Sequence, residues 1–310
     1  MAIEKEIGYL EPGDAFRGWL TGTLADRLPG YDSDIRVYRI EPASHVVCRY
    51  EFVDTGVSVI GKFFGAPCGA NTRYNPNKAM KNEYNRLRCV SDWIPVPRAL
   101  AMNRRFHSVL VTGYVPGTSI RELIAAKESL YDPLTDVAHL LRRLHDSTQT
   151  FCDREREFAY FHKVLDQNRL SSRRRKRFNR LLGAWWHSTR INRNEGCMAH
   201  GDATPANYLY DDRAWAIDFE GARDHAHRIR DPGILAAEIK ASIRNARAED
   251  YIGHLLWHYS KSEAEFHSHT TDLPFFMALG YLRITRLPWR AGERDWLLQE
   301  AEACLAAGPG

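Results

Sequence analysis

The 310-residue sequence has no C-x-x-C pair, and its six cysteines, Cys48, Cys68, Cys89, Cys152, Cys197 and Cys304, are scattered. That spacing excludes a clustered thiolate zinc site and a disulfide framework, and it suits reduced thiols in a cytoplasm. No apolar run approaches the roughly 20 residues of a membrane span, and the first residues, Met1 to Ile7, lack the apolar core of a signal peptide. A soluble, cytoplasmic protein is expected. Charge of one sign is also scarce: 43 Lys and Arg against 39 Asp and Glu leave a net +4, with a pI near 8.7. So mild a bias gives no reason to expect a nucleic-acid partner unless the basic residues cluster. Internal repeats are absent, which excludes a solenoid. What is present is an ordinary globular composition, 44% hydrophobic and 26% charged, at a length that suits two lobes and a core needing no disulfides.

Hydrophobic periodicity organises the chain. Phe16, Leu20, Leu24 and Leu28 recur at helical spacing from Asp14 to the Pro29-Gly30 stop, predicting an amphipathic helix packed on the first lobe. Ile35–Ile40, His45–Phe52 and Val57–Phe64 are closely spaced runs rich in β-branched and aromatic residues, which predict an antiparallel meander. Gly65–Asn77 reads as a loop, and Lys78–Val90 as a helix with a Met80, Tyr84, Leu87, Val90 stripe. Arg98–Ala101 and Ser108–Thr112 form a further strand pair. Gly113 to Gly117 then punctuates the chain, so the expected lobes are residues 1–113 and 114–310. The second reads as mainly helical: Ser119–Ala126, Leu134–Asp146, one long segment over about Glu157–Thr189, helices within Pro232–Ser260, then Pro274–Leu287 and Arg294–Ala306.

The chemistry concentrates between His200 and Glu220. Tyr208–Tyr210 and Ala214–Ile217 read as two short strands joined by Asp211-Asp212-Arg213. Such a hairpin brings Asn207, before the first strand, beside Asp218, after the second. An amide oxygen and a carboxylate are hard ligands that suit Mg²⁺. Asp202 stands a few residues earlier, in a loop bent by Gly201 and Pro205, where it can hold a hydroxyl nucleophile. A base, two metal ligands and a hairpin joining them make a phosphoryl-transfer site. Upstream, Lys62 interrupts the apolar run Val57–Phe64, where a lysine must snorkel or find a partner.

The pattern H-x-D-x-x-x-x-N, an apolar strand, then D-x-E resembles the aminoglycoside phosphotransferase and choline kinase group, relatives of the protein kinases. The resemblance runs from about Ile35 to Glu238. It implies an α+β, two-lobed protein-kinase-like fold with a small antiparallel-sheet N-lobe and a larger, mainly helical C-lobe. It also implies ATP and Mg²⁺ as cofactors. Asp202 would match the catalytic aspartate, His200 the histidine that buttresses the loop, and Asn207 and Asp218 the metal ligands. Glu220 would lie near metal or substrate. Asp231, in Arg230-Asp231-Pro232, would prop the catalytic loop from the next helix. Lys62 and Glu83 resemble the ion pair that holds the nucleotide phosphates, Val111 falls in the adenine-binding connection, and Leu144-His145 resembles the end of the helix preceding the catalytic region. G-x-G-x-x-G is missing. The turn in its place, Glu41 to His45, leaves backbone N–H groups near Ser44 as the phosphate cradle.

Either short motif alone is more often structural than catalytic; their joint order, with Lys62 and Glu83 upstream, reverses that judgement. His254 and His258, four apart on a helix, and His267 and His269, in a polar loop, lack a third ligand and read as surface histidines. The basic run Arg169, Arg173, Arg174, Arg175, Lys176, Arg177, Arg180 reads first as a solvated helix face. As a contact surface it would suit an anionic substrate, a nucleic acid or an acidic membrane surface, and if it lines the acceptor pocket it would repel polycationic aminoglycosides. The expected activity is transfer of the γ-phosphoryl group to a hydroxyl of a small molecule. The alternatives are a kinase acting on a peptide, protein or lipid-linked glycan, and a nucleotide-binding pseudokinase. Acceptor identity, ATP against GTP, and oligomeric state are not legible in the sequence.

Overall fold

A computed structural model describes residues 3–27, 33–67, 74–191 and 194–308. The chain divides into two units: Met1–Gly117 with Ala216–Glu220, and Thr118–Trp215 with Gly221–Gly310. The expected boundary after residue 113 thus moves to Gly117, and Ala216–Glu220, expected in the second lobe, groups with the first. The cause is local: Ala216 N–H donates to the Pro95 carbonyl at 3.1 Å, and Asp218 and Glu220 pair with Lys62.

The first unit runs β1 (Ile3–Tyr9), α1 (Ala15–Leu24), β2 (Ile35–Glu41), β3 (His45–Phe52), β4 (Val57–Pro67), α2 (Pro76–Val90), β5 (Ala99–Asn103) and β6 (Val109–Gly113). The strands form one antiparallel sheet in the order β1-β2-β3-β4-β6-β5. Asp14 caps α1 by accepting from the Phe16 N–H at 2.6 Å. Phe16, Leu20 and Leu24 then bury one helix face against Val37, Tyr50, Phe52, Val59, Val109 and Val111. The Pro29-Gly30 stop and the middle of the 65–77 loop lie outside the described residues. On α2, Asn75 caps the start by accepting from Lys78 N–H, and the buried stripe is Met80, Glu83, Leu87 and Val90. The carboxylate of Glu83 therefore takes the place in the stripe expected for Tyr84. The sequence reading missed β1, because Glu4 to Ile7 are exposed and no face is buried to impose alternation. It is an edge strand carried by backbone pairing to β2.

The second unit runs β7 (Thr118–Ser119), α3 (Ile120–Ala126), α4 (Tyr131–Ser147), α5 (Arg154–Gln167), α6 (Ser172–His187), β8 (Gly196–Ala199), β9 (Tyr208–Tyr210), β10 (Ala214–Ala216), β11 (Arg223–His227), α7 (Arg230–Ser242), α8 (Arg247–Tyr259), α9 (Glu263–Ile284) and α10 (Arg294–Ala306). Its small sheets are β10-β9-β7 and β11-β8. Ser119 and Glu122 form a capping box that starts α3. Two expectations fail here. The single helix over 157–189 is two, α5 and α6. Asn168 turns inward to donate to the Leu282 and Val164 carbonyls, both at 2.9 Å, Arg169 takes φ 48°, and Ser171 caps the next helix. Likewise α9 starts at Glu263 behind a Ser262 cap and carries Pro274 inside it, so His267 and His269 are helical, not in a loop. His269 is buried, with Nδ1 2.8 Å from Ser260 Oγ. His254 uses Nε2 on Thr135 Oγ1 and the Tyr131 carbonyl, at 2.7 and 2.9 Å. No described helix is long and apolar enough to cross a membrane.

Candidate active site

The first unit gathers Lys62, Glu83, Asp218 and Glu220. Lys62 lies on the sheet face opposite α1, because it pairs directly with Val47 and Leu110 while Gly61 beside it pairs with Val111. Its Nζ donates to Glu83 Oε2 at 2.9 Å and Asp218 Oδ1 at 2.7 Å, with Glu220 Oε2 at 3.2 Å. Burial disfavours the ammonium, but the Asp218, Glu83 and Glu220 charges outweigh it and hold Lys62 well above its ordinary pKa. Burial pushes Glu83 up to about 7, against the pull of Lys62. Burial also acts on Glu220, yet its hydrogen bond from His45 and the charge of Lys62 hold that carboxyl below its usual range. His45, buried at the start of β3, places Nε2 2.9 Å from Glu220 Oε2. Three carboxylates against one lysine leave excess negative charge. Their ligand oxygens lie within 4.8 Å of one another, a hard donor set that fits Mg²⁺. Asp218 sits at φ 66°, a left-handed conformation uncommon outside glycine and concentrated at functional sites.

The second unit gathers His200, Asp202, Asn207 and Asp231 around one loop. Asp231, at the start of α7 and fully buried, accepts from His200 N–H at 2.6 Å and Gly201 N–H at 3.1 Å, and its Oδ2 lies 3.2 Å from His145 Nε2. Burial opposes its ionisation, but His145 and His200 prevail and lower it to about 2. His145 is itself fixed through Nδ1, 2.7 Å from Tyr259 Oη. The buried His200 ring accepts the Asp202 N–H at 3.4 Å. Downstream, the chain turns through Thr204 to Asn207, whose Nδ2 donates to the Asp202 carbonyl at 2.9 Å and to Asp202 Oδ2 at 3.1 Å. Asn207 Oδ1 is thereby the amide atom left to a metal. Asp202 Oδ1 accepts from Arg283, which also donates to the Gly201 carbonyl at 3.2 Å.

Residues 49–265 match the sequence model of the APH phosphotransferase enzyme family. The chain belongs to this family. Solved structures similar to this phosphotransferase include ethanolamine kinase from Plasmodium vivax, at 11% identity and TM-score 0.60, covering 96% of this chain and 89% of that one. Choline kinase from Cryptosporidium parvum follows at 14% identity and TM-score 0.59, covering 94% and 93%. The GDP complex of aminoglycoside 2'-phosphotransferase-IIIa stands at 13% identity and TM-score 0.60, covering 94% and 99%. These likenesses show a kinase-like fold. None of the curated proteins matches.

Two of the sequence-derived positions fall away from these groups. The Val111 side chain packs in the core beneath α1; Leu110 and Thr112 share the Lys62 face instead. Strand alternation separates them, and a one-residue error in register suffices to exchange faces. Ser44 is exposed in the turn before β3, one residue from His45. The sequence reading also missed Arg283, although a lone arginine in the apolar run Phe275–Ile284 is a signal of a buried partner. A third group of ligand type, Glu195, His227 and Asp272, lies in the second unit, with His227 and Asp272 buried. There His227 Nδ1 accepts the Ile229 N–H at 3.3 Å. The neutral ring therefore carries its hydrogen on Nε2, which faces the carboxylates at 3.7 and 3.9 Å and has no lone pair for a metal.

Gly201 permits the loop to close. It adopts φ +82°, and a Cβ there would overlap the Gly221 carbonyl oxygen. Gly201→Ala is expected to destabilise the second unit by at least about 2 kcal/mol, summing left-handed strain and overpacking, read as a lower denaturation midpoint at unchanged m-value.

Proposed function

We propose that this phosphotransferase moves the γ-phosphoryl group of ATP to a hydroxyl of a small molecule. The observation that carries the reading is Lys62, buried on its strand and held by Glu83, Asp218 and Glu220 at 2.9, 2.7 and 3.2 Å. A lysine so placed supplies a fixed positive charge for nucleotide phosphates, and Glu83 keeps it aimed. Asp218, with Glu220 beside it, and Asn207 would hold Mg²⁺. Held there, the ion would supply positive charge to offset the charge of the departing phosphoryl group.

Asp202 orients the acceptor hydroxyl. A carboxylate has about four lone-pair sites, so those left by Arg283 and Asn207 remain for the acceptor. The acceptor oxygen forms a bond to the γ-phosphorus, the bond to the β,γ-bridging oxygen breaks, ADP departs, and the acceptor proton passes late to Asp202. Asp231 and His200 do no chemistry in this scheme; they hold the loop on which Asp202 stands.

Two measurements test the reading. Calorimetry with ATP or GTP and Mg²⁺ should show saturable binding, and a screen of hydroxylated acceptors with labelled ATP should give a labelled product. A chain that binds neither nucleotide would abolish the proposal. Lys62→Met is expected to cut turnover by about 10²–10³-fold, the scale seen when a preorganised electrostatic partner is removed. Steady-state kinetics at saturating nucleotide reads this.

A further inference from the structure

Three arginines of the run on α6 already have acidic partners. Arg174 is held by Glu302 and Asp295 at 2.7 and 3.1 Å, Arg175 by Asp166 at 3.0 Å, and Arg177 by Glu302 at 3.0 Å. These arginines are largely matched by acids on a helix face, as a solvated surface would be.

A different set, dispersed in sequence, converges in the second unit. Arg223 and Arg230 place their guanidiniums over the Tyr160 ring, 4.2 and 4.6 Å from its centroid. Arg283 and Arg286 act on the same phenol: although burial disfavours the phenolate, the four arginines together draw Tyr160 below its ordinary pKa. Arg286 donates to the Arg283 carbonyl at 3.4 Å, and Arg283 grips Asp202. Among the described residues, Glu157 pairs with Arg230 and Asp202 with Arg283, and the charge of Glu238 also acts on Arg283.

The cluster is also short of hydrogen-bond acceptors. The Arg230 side chain is 0% exposed. Its Nη1 reaches Glu157, yet Nε and Nη2 are buried with no partner, as is Nε of Arg223. Buried polar atoms are almost always paired, and an uncompensated buried charge is costly.

We propose that the acceptor is itself an anion, a hydroxylated small molecule carrying a phosphate or similar oxyanion that Arg223, Arg283 and Arg286 hold beside Asp202, with Arg230 charging the site from behind. Cationic acceptors, such as the amino alcohols and aminoglycosides named for the similar structures, meet repulsion there. The inference rests on the proposed transfer to a small-molecule hydroxyl.

Calorimetric titration of inorganic phosphate into protein saturated with a non-hydrolysable ATP analogue and Mg²⁺ tests it, because the nucleotide then blocks its own phosphate subsites. Saturable phosphate binding is expected, weakened at least about 10-fold in the Arg223→Gln, Arg286→Gln double variant. Arg286→Gln alone, at an exposed position, is expected to weaken it about 3-fold and guards against a folding defect in the double variant. No phosphate binding to the loaded protein, or equal affinity in wild type and variants, overturns the proposal. If the protein takes up no nucleotide analogue, the donor reading fails instead. The same titration without nucleotide then decides the anion site through the same variants.

Discussion

Asp202→Asn is expected to lower kcat by about 10²–10⁴-fold, the usual contribution of a positioned general base, while KM for ATP stays within about 3-fold. The split follows from the role. In the proposed scheme Asp202 meets the acceptor hydroxyl and not the nucleotide, so its loss removes an interaction made in the transition state and leaves donor binding alone. Asparagine is the better substitution because the carboxylate also anchors Arg283. Asp202→Ala would strand a guanidinium whose charge Asp202 helps to sustain above its ordinary range against burial. With the Asp202 side chain 36% exposed, that loss is expected at about 1–2 kcal/mol, below the 3–5 of a fully buried pair. Undiminished kcat in Asp202→Asn would remove the base from the scheme. A loss confined to KM for ATP would move Asp202 to the nucleotide.

Lys62 was legible because it violates its surroundings. A lysine inside an apolar strand must find a partner; Glu83 came only from the resemblance, since the stripe was read through Tyr84, and the structure pairs the two. The Asp202–Asn207 loop was legible because Gly, Pro and Asn at those spacings dictate a turn whose side chains point back at the aspartate. What the sequence hides is chosen by tertiary contact. His45 answers Glu220 across 175 residues and Arg283 answers Asp202 across 81, separations no periodicity spans. The break between α5 and α6 has the same origin. The stretch has no proline, and helix-forming residues surround it, but Asn168 satisfies a carbonyl of α9 and so ends its own helix. Pro274 misled in the opposite sense: it reads as a start, yet packing of α9 against α7 and α10 carries the helix through it. The α6 arginines were conspicuous as a run, whereas the arginines that converge on Tyr160 lie singly at 223, 230, 283 and 286.

Asp231→Ala is expected to cost about 3–5 kcal/mol of stability, and with it most of the turnover. The carboxylate is fully buried and serves three groups, the N–H of His200, the N–H of Gly201 and the His145 ring. Removing it leaves two buried amides unpartnered at about 1–3 kcal/mol each, and His145 as well. Asp231→Asn spares the volume but turns an NH₂ toward one of these donors, so it should recover only part of the loss. A pH signature separates this carboxylate from a merely space-filling residue. Its native pKa of about 2 lies below the ordinary 3.8, so the native state binds fewer protons than the unfolded chain between those values. Its contribution is present above about pH 4 and is lost as pH falls through about 2, a change of roughly 2–3 kcal/mol. Denaturant midpoints measured from pH 5 to 2 should fall more steeply for wild type than for Asp231→Asn. Parallel curves would mean that the His200–Gly201 turn is held by something other than this charge.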